Sequence, residues 1–436
     1  MRDMIYKLNQ KYFLDLFFFT IVIFTLPIAR VTAVQNIALG FFILLTLLNI
    51  DKTNIIKFFN LKFFISLCLL FLLTAFISLN YTINFNETLS EIRGEIIKPF
   101  IILFFIYLFT ISSNYHKKLY IFYIFLIGLG SHTIINLYQW GINEFWPFRA
   151  GGLLDNGGGE RFGIYVTYAF AISIALFFTK YKKIACFLFL LFFVSIIANN
   201  TRATYVGSIF IIFAYLLFFY KNKLTKYFLL FSTVIIIFIF ILYSKNLSTR
   251  YNVYNMINNI EHIISYSPSK FQRIVDSHEL GGSTAARLSM WKSAILYRIN
   301  NPFIPLGYGR FIYGKQIKDI WKDKPENMPY MLFSQLHSDF MSILFSLGIF
   351  GLIVFILFLF YFLKISYYIY SFSEKYKFIG VFLFLGLCGH IASMSFGSFF
   401  GDSEQVYFYI LYGVALALYT QIKEENSEKN KINSCK

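Results

Sequence analysis

The sequence predicts an all-α, polytopic membrane protein with about 12 transmembrane helices and one large, helical periplasmic loop. Three observations predict it. The 436 residues are 58% hydrophobic and 21% aromatic but only 14% charged, where a soluble domain carries about a quarter charged residues. The apolar residues form continuous runs rather than alternating ones. That pattern selects helices over a barrel, because a backbone in lipid must satisfy its polar groups within the span. Basic residues also concentrate in every second connection, which sets a topology.

Apolar runs at 13–29, 32–49, 63–79, 99–113, 119–139, 162–179, 184–199, 204–220 and 227–243 predict an N-terminal transmembrane bundle over residues 1–243. The short basic start, MRDMIYKLNQKY, lacks a small-residue cleavage site, so the first span is expected to stay in the membrane. Residues 244–336 contain no run of span length and are expected to form the large outer loop. Runs at 338–363, 378–398 and 405–420 predict the C-terminal transmembrane helices, residues 337–420. The polar tail, 421–436, is expected to be cytoplasmic and without fixed structure.

With the N-terminus placed in the cytoplasm, the segments on that side hold 21 basic residues and the short outer segments hold six. One span more or fewer would scramble this asymmetry, so an even number of spans with both termini cytoplasmic is expected in a bacterial inner membrane. The net charge of +17 then reflects topology and contact with membrane lipids, and no nucleic-acid partner is expected. Cys68, Cys186 and Cys388 lie in apolar runs and Cys435 in the tail. They read as small apolar fillers rather than a disulfide framework.

The large loop carries 12 basic and six acidic residues. That excess can attract phosphate-bearing lipids or sugars, although a merely solvated loop would look the same. Its Trp291, Trp321, Tyr and Phe residues argue for order, in amphipathic helices near the membrane surface.

Four polar residues cluster at predicted outer boundaries. Arg202, in NNTRATYVG, sits between two spans; it is either a snorkelling arginine or a fixed guanidinium for phosphate. Arg287, in GGSTAARLSMWKSAI, follows a helix-start signal and shares a face with Trp291. His337 stands where the loop enters the tenth span. There a neutral imidazole can take a proton from a sugar hydroxyl, or simply sit at the interface. Arg161, with Asp155 and Glu160 in DNGGGERFG, can contact a polar head group. Gly348 and Gly351 suggest a small-residue surface for close helix packing. No HExxH, paired CxxC, Walker A or GxGxxG element occurs, and His262, His278 and His390 lack ligand spacing; no metal site and no cofactor are expected. A transporter would place charge within span centres, whereas these candidates gather at one side.

His337 and Ser338, nine residues, then Gly348-x-x-Gly351 resemble the signature that follows the large periplasmic loop of O-antigen ligases. The glycines are followed by Leu352-Ile353 where that pattern has Thr-Val, and the Arg202 element carries Val206 where the pattern has Leu. The Arg287 segment resembles the family's loop arginine. The layout of about 12 spans covers the whole chain, while the residue-level likeness covers about 40 positions and is shared in part with O-antigen and exopolysaccharide polymerases. The resemblance implies a metal-independent, inverting glycosyltransferase. Its donor would be a glycan on undecaprenyl diphosphate and its acceptor a lipid A-core sugar, or a growing glycan in a polymerase. Arg202 and Arg287 would be catalytic and bind the diphosphate, Arg161 would add to substrate binding, and His337 would activate the acceptor hydroxyl.

Overall fold

A computed structural model of the chain describes residues 13–143, 149–154, 159–219, 282–309, 311–329, 332–398 and 403–434. The expected ninth span, the first part of the large loop and Asp155 lie outside the described residues.

The described residues are helical, with one isolated bridge between Ile28 and Leu153. In chain order the helices are α1 (Leu14–Thr25), α2 (Thr32–Leu48), α3 (Lys52–Phe59), α4 (Lys62–Ile77), α5 (Phe85–Ser112), α6 (Tyr115–Ile142) and α7 (Gly159–Leu176). They continue with α8 (Lys182–Asn199), α9 (Arg202–Phe218), α10 (Gly282–Asn300), α11 (Tyr313–Ile320), α12 (Asp339–Phe372), α13 (Lys377–Met394) and α14 (Ser403–Ser434). Among the described residues seven helices are long and apolar enough to cross a membrane, or eight if the bent pair α2 and α3 is one span. Three further apolar helices, Leu14–Thr25, Arg161–Leu176 and Arg202–Phe218, are shorter. The chain is therefore a multi-pass membrane protein, with seven or eight long spans and three shorter apolar helices among the described residues. Run length in sequence does not reveal where a helix stops: α1 ends after 12 residues, and α2 turns through 108° into α3 at Asp51, whose side chain caps Thr53 N–H at 2.9 Å.

Helix α13 packs between α7, α9 and α12, and α14 packs along α5. Small residues let these backbones approach, as helices in lipid require. A Cβ on Gly389 of α13 would lie 2.5 Å from Thr167 of α7 and 2.7 Å from Ile211 of α9. One on Gly413 of α14 would lie 2.8 Å from the Leu103 carbonyl of α5. Gly389→Leu is expected to destabilise the bundle by about 1–3 kcal/mol, the usual cost of overpacking, read as a lower thermal unfolding midpoint in detergent.

The two ends of the bundle differ. One gathers lysines: Lys117 pairs with Asp15 at 2.5 Å, Lys57 pairs with Glu424 at 2.7 Å, and Lys118 donates to Gln421. Lys375 lies over the Tyr115 ring. The other end carries α10 and α11, which share a second apolar core built from Met290, Ala294, Tyr313, Ile317 and Trp321. That core continues past the loop, taking in Leu336 and Phe345.

Helix α12 is two helices in one. Gly348 has φ +72° and ψ −172°, which breaks it into a short leading piece, Asp339–Leu347, and a long piece from Ile349 onward. A side chain there would meet the Pro302 carbonyl at 2.8 Å. Gly348 thus serves as a helix break rather than as part of the expected packing surface, and at Gly351 a Cβ would collide with the Leu347 side chain across that break.

Candidate functional site

The end of the bundle away from the lysines gathers all four expected site residues, each placed by its own helix terminus. Arg202 is the first residue of α9, after the extended N-cap Thr201. Asn200 takes the left-handed conformation, φ 51°, at the end of α8, so the chain reverses in three residues and holds Arg202 at the boundary. The turn is pinned by Asn199. Its amide donates to the Ala150 carbonyl at 3.1 Å and the Gly159 carbonyl at 2.7 Å, and its oxygen accepts from Thr201 at 2.8 Å and Thr204 at 2.7 Å. All of these groups are buried, where an unsatisfied polar group is costly, so the network fixes one geometry.

Arg161 stands in the first turn of α7, two residues before Gly163, where any Cβ would collide with Thr204. The α7 start is therefore seated on the α9 start. The Arg161 guanidinium binds Glu404 of α14 through Nε at 2.9 Å and Nη2 at 3.2 Å, and Nη2 also donates to Ser403 at 3.2 Å. Glu404 is fully buried while the arginine side chain is 39% exposed, so the pair is wet on the cationic side. Next along α14, Gln405 donates to the Glu95 carbonyl at 2.5 Å. Glu95 lies in a π-helical turn, Arg93–Ile97, inside α5, a distortion that is frequent at functional sites.

Arg287 lies in the second turn of α10, half-buried, and its Nη1 donates to the Phe396 carbonyl at 2.9 Å, just past the end of α13. Phe396 N–H bonds back to Ser393, and the Ser393 hydroxyl donates to the Ala203 carbonyl at 3.0 Å. The segments carrying Arg202 and Arg287 thus dock on the same final turn of α13.

His337 is tied to Arg287 through Trp291, one helical turn along α10. Trp291 Nε1 donates to the Leu336 carbonyl at 2.7 Å. His337 has φ 51°, a conformation that few residues other than glycine adopt and that marks local strain. Its ring meets Phe333 edge-on at 5.5 Å. Ser338 then caps the leading piece of α12, accepting from Met341 N–H at 3.4 Å, and Asp339 in the first turn is buried.

A path of bonded neighbours therefore joins the four residues: Arg161 to the start of α9 and Arg202, across Ser393 and Phe396 to Arg287, and through Trp291 to His337. Chemically this end offers two or three guanidinium groups for an anionic group and one imidazole for a proton. Among the described residues no cluster of three or more His, Cys, Asp or Glu side chains has the geometry of a metal site. Sequence reasoning missed Glu404, Glu95, Ser393 and the Asn199 network. Glu404 did carry a signal, an acid at the outer start of an apolar run, but its partner is 243 residues away.

The chain matches none of the curated proteins. Residues 187–356 match the family model described as O-antigen ligase. That stretch runs from α8 to the middle of α12, so it contains Arg202, Arg287, His337 and the Gly348 break but neither Arg161 nor Glu404. Over that stretch, well under half of the chain, the protein is similar to the O-antigen ligase family.

Proposed function

We propose that this protein is an O-antigen ligase-like transferase that moves a glycan from undecaprenyl diphosphate to a sugar hydroxyl of lipid A-core. The observation that carries the reading is that the Arg202 and Arg287 segments dock on the end of α13, while the His337 segment is tied to the helix of Arg287 through Trp291. Their chemistry suits this reaction. The acceptor oxygen attacks C1 of the donor sugar, and the bond from C1 to the phosphate oxygen breaks with its electron pair leaving on the diphosphate. The acceptor proton goes to the His337 imidazole, acting as general base. Arg202 and Arg287 offset the charge that grows on the leaving diphosphate, so no metal is assigned to that task. Arg161, held by Glu404, adds a third cation at the edge of the same surface. A single displacement inverts the anomeric carbon. The lysine-rich end would be cytoplasmic and the site end periplasmic, with both termini inside, which agrees with the charge asymmetry.

Expression in a strain lacking its own ligase tests this. The expected result is a lipopolysaccharide ladder of glycan-capped core. Bare core together with longer lipid-linked glycan would replace the ligase reading by a polymerase one. Bare core with no change in the lipid-linked pool would reject both.

The arginines supply a separate prediction. Arg202→Ala and Arg287→Ala are each expected to lower transfer about 10²-fold, the usual loss when one donor to a developing anion is removed. Lysine at either position should recover only part, because an ammonium keeps the charge but not the planar fork. Initial rates at matched membrane abundance check both.

A further inference from the structure

The break in α12 raises a problem that the chain solves with the segment after α10 and one side chain, Arg298. Ending a helix at Leu347 leaves carbonyls without intrahelical partners, and starting another at Ile349 leaves N–H groups without theirs. The segment after α10 meets these needs. Leu306 N–H donates to the Ser346 carbonyl at 2.8 Å, and Ile349 N–H donates to the Pro302 carbonyl at 2.9 Å. Arg298, in the last turn of α10, donates from Nη2 to the Phe345 carbonyl. Its Nη1 donates to the carbonyls of Asn301 at 2.8 Å and Ile304 at 2.5 Å. Only 5% of the residue is exposed. Its guanidinium also lies 5.1 Å from the Tyr297 ring centroid and 5.9 Å from that of Phe345. Burial pushes its pKa down to about 10, so it stays a cation at neutral pH.

These bonds give the short leading helix a fixed C-terminal end. A cation at a helix C-terminus also favours the helix dipole. At its other end the same short helix begins with Ser338 and is preceded by His337. Ile343 and Leu347, four residues apart, face the membrane bundle, while Met341 and Phe345, also four apart, face the core of the outer loop. The short helix is thus a strut between bundle and loop, with His337 at one end and Arg298 at the other.

We infer that Arg298 is a positioning residue: by clamping the broken end of α12 to residues 301–306 it fixes the short helix that aims His337. This rests on the reading of His337 as the proton acceptor. It also gives the spacing between His337 and Gly348 a physical meaning. The glycine ends the strut at a length that lets Arg298 reach its last carbonyls, so the two positions belong to one device.

The experiment uses the full chain in lipid nanodiscs, with Arg298→Gln, Arg298→Lys, His337→Ala and the double variant Arg298→Gln/His337→Ala. Hydrogen exchange and initial transfer rates are measured on each. Arg298→Gln is expected to raise exchange across 336–347 while Ile349–Phe372 stays protected. It should lower kcat about 10²-fold, the scale of a small misplacement of a catalytic group, with the donor KM unchanged because the diphosphate contacts are intact. In the His337→Ala background the same change should cost little more, since residues acting through one group are not additive. Arg298→Lys, which keeps the charge on a single donor nitrogen but not the fork, should fall between and serves if the glutamine variant does not accumulate. Unchanged exchange over 336–347 would overturn the clamp whatever His337 does. Losses that multiply in the double variant would show that Arg298 does not act through His337. Full activity of His337→Ala would instead remove the reading on which the inference rests, and the exchange data would still decide the clamp.

Discussion

Replacing His337 by alanine is expected to lower glycan transfer by about 10²–10⁴-fold, the range for loss of a general base, with the protein still folded in the membrane. The side chain is half-buried at the entry to α12 and lies outside the main apolar core, so its removal leaves the bundle packing intact. Its backbone at φ 51° complicates the alanine variant, because alanine adopts that conformation less readily than glycine or asparagine. His337→Asn and His337→Gly separate the two effects. Both tolerate the left-handed backbone and neither can serve as the base, so both should be as inactive as alanine. If asparagine restores transfer, the backbone conformation mattered and the imidazole did not.

Removing the Arg161 guanidinium from Glu404 should have the largest effect on stability. Arg161→Met keeps the aliphatic stem but leaves a fully buried carboxylate without the guanidinium that binds two of its faces. Breaking a buried ion pair by deleting one member costs about 3–5 kcal/mol. The lower end, about 3 kcal/mol, is expected because Arg161 itself is partly wet. Glu404→Gln leaves a neutral amide in the same place and should cost less. The double variant should be more stable than Arg161→Met alone, since no buried carboxylate then lacks the Arg161 guanidinium. Thermal unfolding midpoints of the four proteins in one detergent form the cycle that checks it. Additive losses would mean that the pair does not interact across the α7 and α14 ends.

Composition and apolar runs were enough to read the class of the molecule, because nothing but lipid can solvate so many long apolar segments. The runs also marked where helices stand: among the described residues each predicted run coincides with a helix, though Leu14–Thr25, Arg161–Leu176 and Arg202–Phe218 are shorter than a full span. The 108° turn between α2 and α3 comes at Asp51, whose side chain caps Thr53 N–H. Arg202, Arg287, His337 and Arg161 were legible as candidates since each is a polar residue at the edge of an apolar run. That their segments meet was not legible. The joints are Ser393 to Ala203, Arg287 to Phe396 and Trp291 to Leu336, contacts between elements far apart in sequence whose partners are backbone carbonyls. A carbonyl has no residue identity, so no pattern can announce it. The same holds for Arg298, which bonds only carbonyls and looks like any loop cation. Gly348 was visible as a glycine in an apolar run, but whether it packs or breaks a helix is decided by the Pro302 carbonyl beside it.

The central claim is that this end of the bundle transfers a glycan from a lipid diphosphate, with His337 taking the acceptor proton. The most direct measurement is in vitro. Purified wild type and His337→Asn are each given purified undecaprenyl-diphosphate-linked glycan and lipid A-core, and the capped core and the released lipid diphosphate are quantified together. The account predicts that wild type forms the two products in equal amounts, with the new linkage inverted relative to the donor, and that His337→Asn forms neither above background. Capped core made at the same rate by His337→Asn, or a linkage that retains the donor configuration, would contradict it.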